Sequence, residues 1–379
     1  MVSAPTVIAF YLPQFQPTPY NDAWWGPGFT EWTHVAAARP LFRGHAQPRL
    51  PGELGFYDLR LPETRAAQAD LATSYGVDCF CYWHYWFGGT RLLNETFDDV
   101  LASAEPGIKF CLGWANEPWT AVWAGRPDHI LIPQTYPGAA DDRAHFDRVE
   151  PAFHDPRYLR VDGRPVFYVY RPLSHPYLPE FVRRWNHYAT ESGLPGVFFV
   201  AETSLDSLDT CSPTQRQALE SVDALVGLNW YRATTVGYRS VHLRRGPLRG
   251  SYARTAAEFP YSVRGARLSF PCVLTGWDDT PRKGRRGIVL TNRTSELFGV
   301  QLANALTRLR EQAADPALLF VKSWNEWAEG NVLEPDRTTG RADLETLATA
   351  LGRELPVTPT ESSALPAPGS GRPGALRGR

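Results

Sequence analysis

The sequence is short of several things that would decide its class at once. Its 379 residues carry a formal net charge of only −1, and no run reaches eighteen apolar residues. Without a charge surplus there is no electrostatic case for nucleic acid or an anionic membrane surface as partner. Without a long apolar run there is no membrane-spanning helix. The opening MVSAPTVIAF lacks a basic segment followed by a long apolar one, so no secretory leader is expected and a cytoplasmic protein is the default. Cysteine is scarce, and Cys79, Cys81, Cys111, Cys211 and Cys272 form no C-x-x-C pair. Four of the five lie in or beside apolar runs, as reduced buried thiols do, and no structural disulfide is expected. H-E-x-x-H and His/Cys clusters at ligand spacing are absent, so no metal is expected. Asp-x-Asp and the phosphate-cradling G-x-x-x-x-G-K-[ST] are absent too, so no cofactor and no metal-held sugar nucleotide is announced.

What is present is a rhythm. Eight short runs rich in Val, Ile, Phe and Tyr occupy 6–13, 77–86, 108–116, 165–171, 196–202, 224–231, 268–277 and 317–324. Continuous apolar runs of this length suit strands buried on both faces, the mark of a parallel sheet. Helix-like stretches such as PETRAAQADLATSYG and SELFGVQLANALTRLREQA stand between them. Eight alternating strands and helices predict one α/β (β/α)8 barrel over 1–354 rather than an open doubly wound sheet. From about residue 355 the chain is Pro, Gly, Ala and Ser without periodicity, and 355–379 reads as a disordered tail.

The polar residues at the ends of these runs carry the functional argument. In order they are Tyr11; His84 and Tyr85; Asn116 and Glu117; Tyr170; Glu202; Trp230; Trp277 and Asp278; Asn325, Glu326 and Glu329. In a (β/α)8 barrel the C-terminal strand ends and their loops form the active-site face, so these positions converge on one rim. Twelve of the thirteen Trp, among them Trp25, Trp32, Trp114, Trp119, Trp277 and Trp327, fall at strand exits or in the loops just after them. Any one indole is ordinarily core packing. A cluster of indole faces with acids and amides suits a carbohydrate cleft, since the rings stack on sugar C–H faces and the polar groups bond hydroxyls.

The densest stretch is SWNEWAEGNVLEPD, 323–336, directly after the apolar ALLFVK. Glu326 and Glu329 are three residues apart, a spacing that on one helical turn points both carboxyls to one side. Paired carboxylates are the working parts of glycoside hydrolysis, one kept protonated and one ionised, and a site walled by Trp can separate their pKa values. A solvated surface helix is the ordinary source of E-x-x-E. N-E-W-A-E-G is too apolar for that and follows a buried strand. Glu334 adds a third acid, counted with the substrate-binding candidates.

These residues, with FYLPQFQPTPYNDAWWGPGFTEWTHV (10–35), CYWHYWFGG (81–89), WANEPWT (114–120), DPRYLRVDGRPVFYVYRP (155–172) and WDDTPR (277–282), resemble the WbsX-type family of polysaccharide-biosynthesis proteins, described as glycosyltransferases. The N-E-W-x-E-G core is similar to that of glycoside hydrolase family 99, the endo-α-mannosidases. The kinship implies a (β/α)8 fold and a metal-free retaining mechanism. In it the first Glu, here Glu326, deprotonates the sugar 2-hydroxyl, which closes on C1 to give a 1,2-anhydro sugar, while the second, here Glu329, is the general acid.

Three further stretches bear on substrate. Residues 14–61 form a first loop far longer than usual, with Asp22, Trp25, Glu31 and Trp32, expected to cap the cleft and grip sugar, although Trp24 and Trp25 equally suit the small core of such a cap. YRSVHLRRGPLRGSYAR (238–254) and PRKGRRG (281–287) are basic; they are either solvated surface or the receptor of an anionic or lipid-linked glycan, with Arg282, Lys283, Arg285 and Arg286 as contacts. The expected partner is therefore a glycan or polysaccharide substrate, with nothing pointing to nucleic acid or to an oligomeric state. Three classes stay open: an endo-acting retaining glycosidase, a glycosyltransferase of O-antigen or cell-surface polysaccharide biosynthesis, and a non-catalytic glycan-binding protein.

Overall fold

The computed structural model describes residues 4–121, 126–228, 246–258, 262–312 and 315–356. The expected eight runs all form strands. They are β1 (Thr6–Tyr11), β2 (Cys79–Phe87), β3 (Lys109–Trp114), β4 (Arg164–Val169), β5 (Phe198–Thr203), β6 (Ala224–Gly227), the pair β7 (Ser269–Phe270) and β8 (Cys272–Leu274), and β9 (Leu318–Lys322). Each is parallel to its neighbours. β1 lies between β9 and β2, then β3, β4, β5 and β6 follow, and β6 pairs with β7.

The seventh run closes the barrel in two pieces. Pro271 interrupts it because proline has no N–H to give the ladder. β7 pairs with β6, β8 pairs with β9, and the Pro271 carbonyl accepts from Phe320 N at 3.0 Å. Nine assigned strands thus make eight staves, and the expected (β/α)8 architecture stands.

Helices Pro62–Ser74 and Ser295–Gln312 form where the sequence places them, and Glu95–Ser103, Ala139–His154, Leu178–Glu191 and Ala342–Ala350 are among those completing the outer layer. The barrel interior is aromatic. Phe10 stacks on Trp83 at 4.8 Å between centroids and meets Tyr168 edge-on at 4.9 Å, and Phe320 closes on both Phe10 and Tyr168. Gly113 makes room for this: a Cβ there would stand 3.0 Å from Cys81 Sγ and 3.3 Å from the Trp83 ring. All five cysteines are free thiols. No described helix is long and apolar enough to cross a membrane.

The first loop is a packed cap. Short helices Pro19–Trp25 and Glu31–Ala37 hold it, and Phe15, Trp32, Tyr57 and Trp327 form its aromatic core. It is pinned to the segment after β9 by Gly52 N donating to the Pro335 carbonyl and by Arg49 Nε donating to Asp336 Oδ2 at 2.6 Å.

Candidate active site

The strand before the acidic stretch ends at Lys322, and the chain then turns back on itself in a small hairpin. Asn325–Glu326 pair with Asn331–Val332, and a 3-10 turn over Trp327–Glu329 joins them. The two glutamates therefore flank a tight hairpin turn instead of lying on an α-helical one, which corrects the spacing argument while keeping its outcome. The turn needs glycine at 330. Its φ is +64°, and a Cβ would sit 2.9 Å from the backbone N and Cβ of Asp278. Asn325 fixes the hairpin to β1 by accepting from Leu12 N and donating to Leu12 O. Ser323 Oγ accepts from Glu326 N, and Asp278 N donates to the Glu329 carbonyl.

Arg282, from the short helix Thr280–Lys283, organises the centre. Its Nη1 donates to Glu329 Oε1 at 2.6 Å, its Nη2 to Glu326 Oε2 at 3.1 Å, and its Nε to Glu31 Oε2 at 3.2 Å. One fork holds three carboxylates, and its side chain is only 8% exposed. The sequence left the basic loop as either solvated surface or the receptor of an anionic substrate group. Instead Arg282 faces the chain's own acids, and Lys283 Nζ is paired with Asp279 Oδ2 at 2.7 Å. Arg285 and Arg286 lie on the exposed part of that loop. Residues 229–245, which include Trp230 and the first part of the other basic stretch, lie outside the described residues, as do Trp123 and 357–379 of the expected tail.

The pair's surroundings treat its two members differently. Burial and the neighbouring Glu329 charge push Glu326 up to about 7. Burial would also raise Glu329, but Arg282, Lys322 and Lys283 outweigh it and hold that carboxyl below its usual range. At rest the proton belongs on Glu326 and the charge on Glu329. Burial also raises Glu31, against the pull of Arg282.

A cleft of about 240 Å³ opens over the pair, lined by Trp25, Tyr85, Glu117, Trp119, Tyr170, Glu326 and Glu329 from the sequence candidates. Gln14, Trp83, Arg282 and Lys322 line it as well. Trp25 of the cap faces the cleft, whereas Trp24 leans on Tyr20 and on Trp119.

The other described candidates are not in the cleft lining, although Glu202 is close enough to act on Lys322. For Tyr11, His84 and Trp114 the reason is strand alternation, since neighbours along a strand point to opposite sides. Tyr11 turns outward and donates its hydroxyl to Gln68 at 2.7 Å. His84 meets His145 at 2.8 Å, and burial and that neighbour keep it neutral. Trp114 packs against His145 and Phe181 and donates to the Trp86 carbonyl. Asn116 accepts from Arg171 N and donates to its carbonyl. Asp278 is clasped by His45, Gln47 and Thr280, and Trp277 packs on the core. Asp22 accepts from Gly28 N. Glu31 stands behind the pair on Arg282, and Glu202 accepts from Tyr168 inside the barrel. Trp32 and Trp327 belong to the core of the cap, and Glu334 accepts from Tyr57, Gln68 and Trp327.

Lys322 is the charged lining residue that the sequence did not single out. A single Lys in the run ALLFVK, two positions after the inward Phe320, was the available signal.

The family model described as Glycosyltransferase WbsX matches residues 7–347. Two proteins of Xanthomonas campestris pv. campestris, both named uncharacterized protein WxcX, are 36% identical over 349 residues, or 92% of this chain and 50% of theirs. This chain thus spans about half the length of those relatives. Among solved structures, the GH99 endo-alpha-mannosidase from Bacteroides thetaiotaomicron superposes with a TM-score of 0.54 at 16% identity, over 93% of this chain and 98% of that one. A glycoside hydrolase-like protein gives 0.57 at 13% identity, over 93% and 95%. At such identities the likeness concerns the fold alone.

Proposed function

The chain belongs to the WbsX glycosyltransferase family, and from that premise we propose that it acts on the glycosidic bonds of an oligosaccharide or polysaccharide, cleaving them with Glu326 and Glu329. The observation carrying this reading is the pair itself: a buried carboxyl and a partly exposed one on one arginine, at the floor of an aromatic cleft, with environments that push their pKa values apart. Opposed shifts of that kind mark an acid and a base.

The mechanism follows from the resemblance. Glu326 takes the proton of the sugar 2-hydroxyl, the oxygen closes on C1, and Glu329 protonates the leaving oxygen; water then opens the 1,2-anhydro ring with net retention. No metal takes part. These roles require the minority tautomer of the singly protonated pair, because at rest the proton sits on Glu326. A minority form lowers the rate by its population without changing the pH at which the pair titrates. Trp25, Trp119, Tyr85 and Tyr170 supply the aromatic wall against which the sugar would lie, and Glu117 lines the same cleft.

Transfer to a sugar hydroxyl is the second reading, favoured by the family's description. Defined α-mannosides and sugar nucleotides separate the two. Cleavage releases new reducing ends, and transfer from a nucleotide releases nucleoside diphosphate. With an activated aryl glycoside, Glu329→Gln should keep much of its rate because such a leaving group needs no proton, whereas Glu326→Gln should not. The opposite pattern exchanges the two roles. Release of diphosphate without reducing ends overturns hydrolysis.

A further inference from the structure

Lys322 ends β9 inside the barrel, at the floor of the cleft, and is 6% exposed. Its Nζ lies 5.2 Å from the centre of the Tyr170 ring, 5.6 Å from Trp83 and 5.8 Å from Phe10. Among the described residues no acceptor lies within hydrogen-bonding distance of that nitrogen and no carboxylate within 4.0 Å. The other cations of the site are engaged: Arg282 with three glutamates, Lys283 with Asp279, Arg171 with Glu117. Ring faces stabilise an ammonium but satisfy none of its three N–H donors. A buried charge with idle donors is costly unless something completes it.

Resting on the glycan reading above, we infer that Lys322 is a sugar-binding and specificity-determining residue, donating to hydroxyl oxygens of a neutral sugar held in the cleft beside the catalytic pair. A neutral ring fits better than an acidic one. The acids around the floor are Glu31, Glu117, Glu202, Asp279, Glu326 and Glu329, against the cations Arg171, Arg282, Lys283 and Lys322. Even with one proton on the pair the acids outnumber the cations, so a further carboxylate or phosphate finds no surplus of positive charge. Hydroxyls bring acceptors without charge. Glu202, whose field acts most strongly among the acids in keeping Lys322 charged although burial opposes it, has one oxygen occupied by Tyr168 and the other clear of any described donor. A sugar hydroxyl accepting from Lys322 can donate toward it.

The experiment uses binding, which does not depend on whether hydrolysis or transfer follows. The 379-residue chain carrying Glu329→Gln is titrated calorimetrically with methyl glycosides and disaccharides of mannose, glucose, galactose and rhamnose, their monodeoxy analogues, and the corresponding uronic acids. The expected result is binding of a neutral sugar that Lys322→Met weakens tenfold or more. One monodeoxy analogue should lose the same factor with Lys322 present and nothing further with Met. Lys322→Arg should recover part of the affinity. Lys322→Met paired with Glu202→Gln covers the case in which the lone Met variant does not fold. Equal affinity of folded Met variant and parent for every sugar overturns the assignment, and so does preference for the uronic acids. Failure of the parent to bind any sugar overturns the glycan reading itself, a separate result.

Discussion

Glu326 and Glu334 stand in one short stretch, and burial pushes both carboxyls up to about 7. Their fates differ. Glu334 lies between cap and barrel, 2% exposed, accepting from Tyr57 at 2.9 Å, Gln68 at 2.7 Å and Trp327 at 2.6 Å. Nothing is left for a ligand to satisfy. Glu326 is nearly as buried, yet it lines the cleft beside a second carboxyl and shares an arginine with it. A displaced pKa marks a group the fold has desolvated. Access and unfilled hydrogen-bonding capacity decide whether the group works on a substrate or holds the protein together.

The sharpest way to break this comparison is to remove each group in turn. Glu326→Gln and Glu329→Gln should each lower turnover on natural glycans by a hundredfold or more with little change in Tm, the scale of losing a positioned acid or base. Glu334→Ala should do the reverse. It strands three buried donors at about 1–3 kcal/mol each, so Tm should fall by several degrees while the protein still folded keeps most of its kcat. Loss of turnover with unchanged Tm in Glu334→Ala would move that residue into the site.

Arg282→Met tests what separates the members of the pair. The singly protonated pair gives a bell-shaped pH–rate profile whose alkaline limb lies near pH 7, set by Glu326. Arg282 favours the charged form of each carboxyl, so without it both titrations rise and the whole bell shifts to higher pH. Rate at pH 6 should drop as the acid limb moves up. A bell that falls in height without moving would reduce Arg282 to a structural tie.

The smallest effect is on stability against pH. The folded Glu334 titrates at about 7 against an ordinary 4.5, so the folded chain holds that proton more tightly than the unfolded one. Its contribution is greatest below about pH 4.5, falls as pH rises to about 7, and is constant above. Denaturant titrations of the parent and of Glu334→Gln across that window should diverge, with the parent losing stability more steeply as pH rises. Parallel curves would mean that Glu334 is ionised in the fold.

The barrel was legible in the sequence because strands buried on both faces must be apolar throughout, and eight such runs with helices between them admit few other solutions. The meeting of acids and indoles at strand exits was legible for the same reason, since a barrel fixes which end of every strand carries the chemistry. Direction was not legible. Tyr11, His84 and Trp114 sit at the rim in sequence and turn outward in space, because a one-residue step along a strand exchanges inside for outside. The partner of Arg282 was hidden too. Its three carboxylates come from the cap at Glu31 and from the hairpin at Glu326 and Glu329, far from it along the chain, and a basic loop looks the same whether it faces solvent or its own acids. Composition and periodicity thus determined the architecture and the face on which chemistry occurs, because burial acts on every residue of a run. Which carboxyl is saturated, which is open, and which ammonium is left with idle donors were decided only by the tertiary structure, because hydrogen bonding depends on ångströms between residues that the sequence keeps apart.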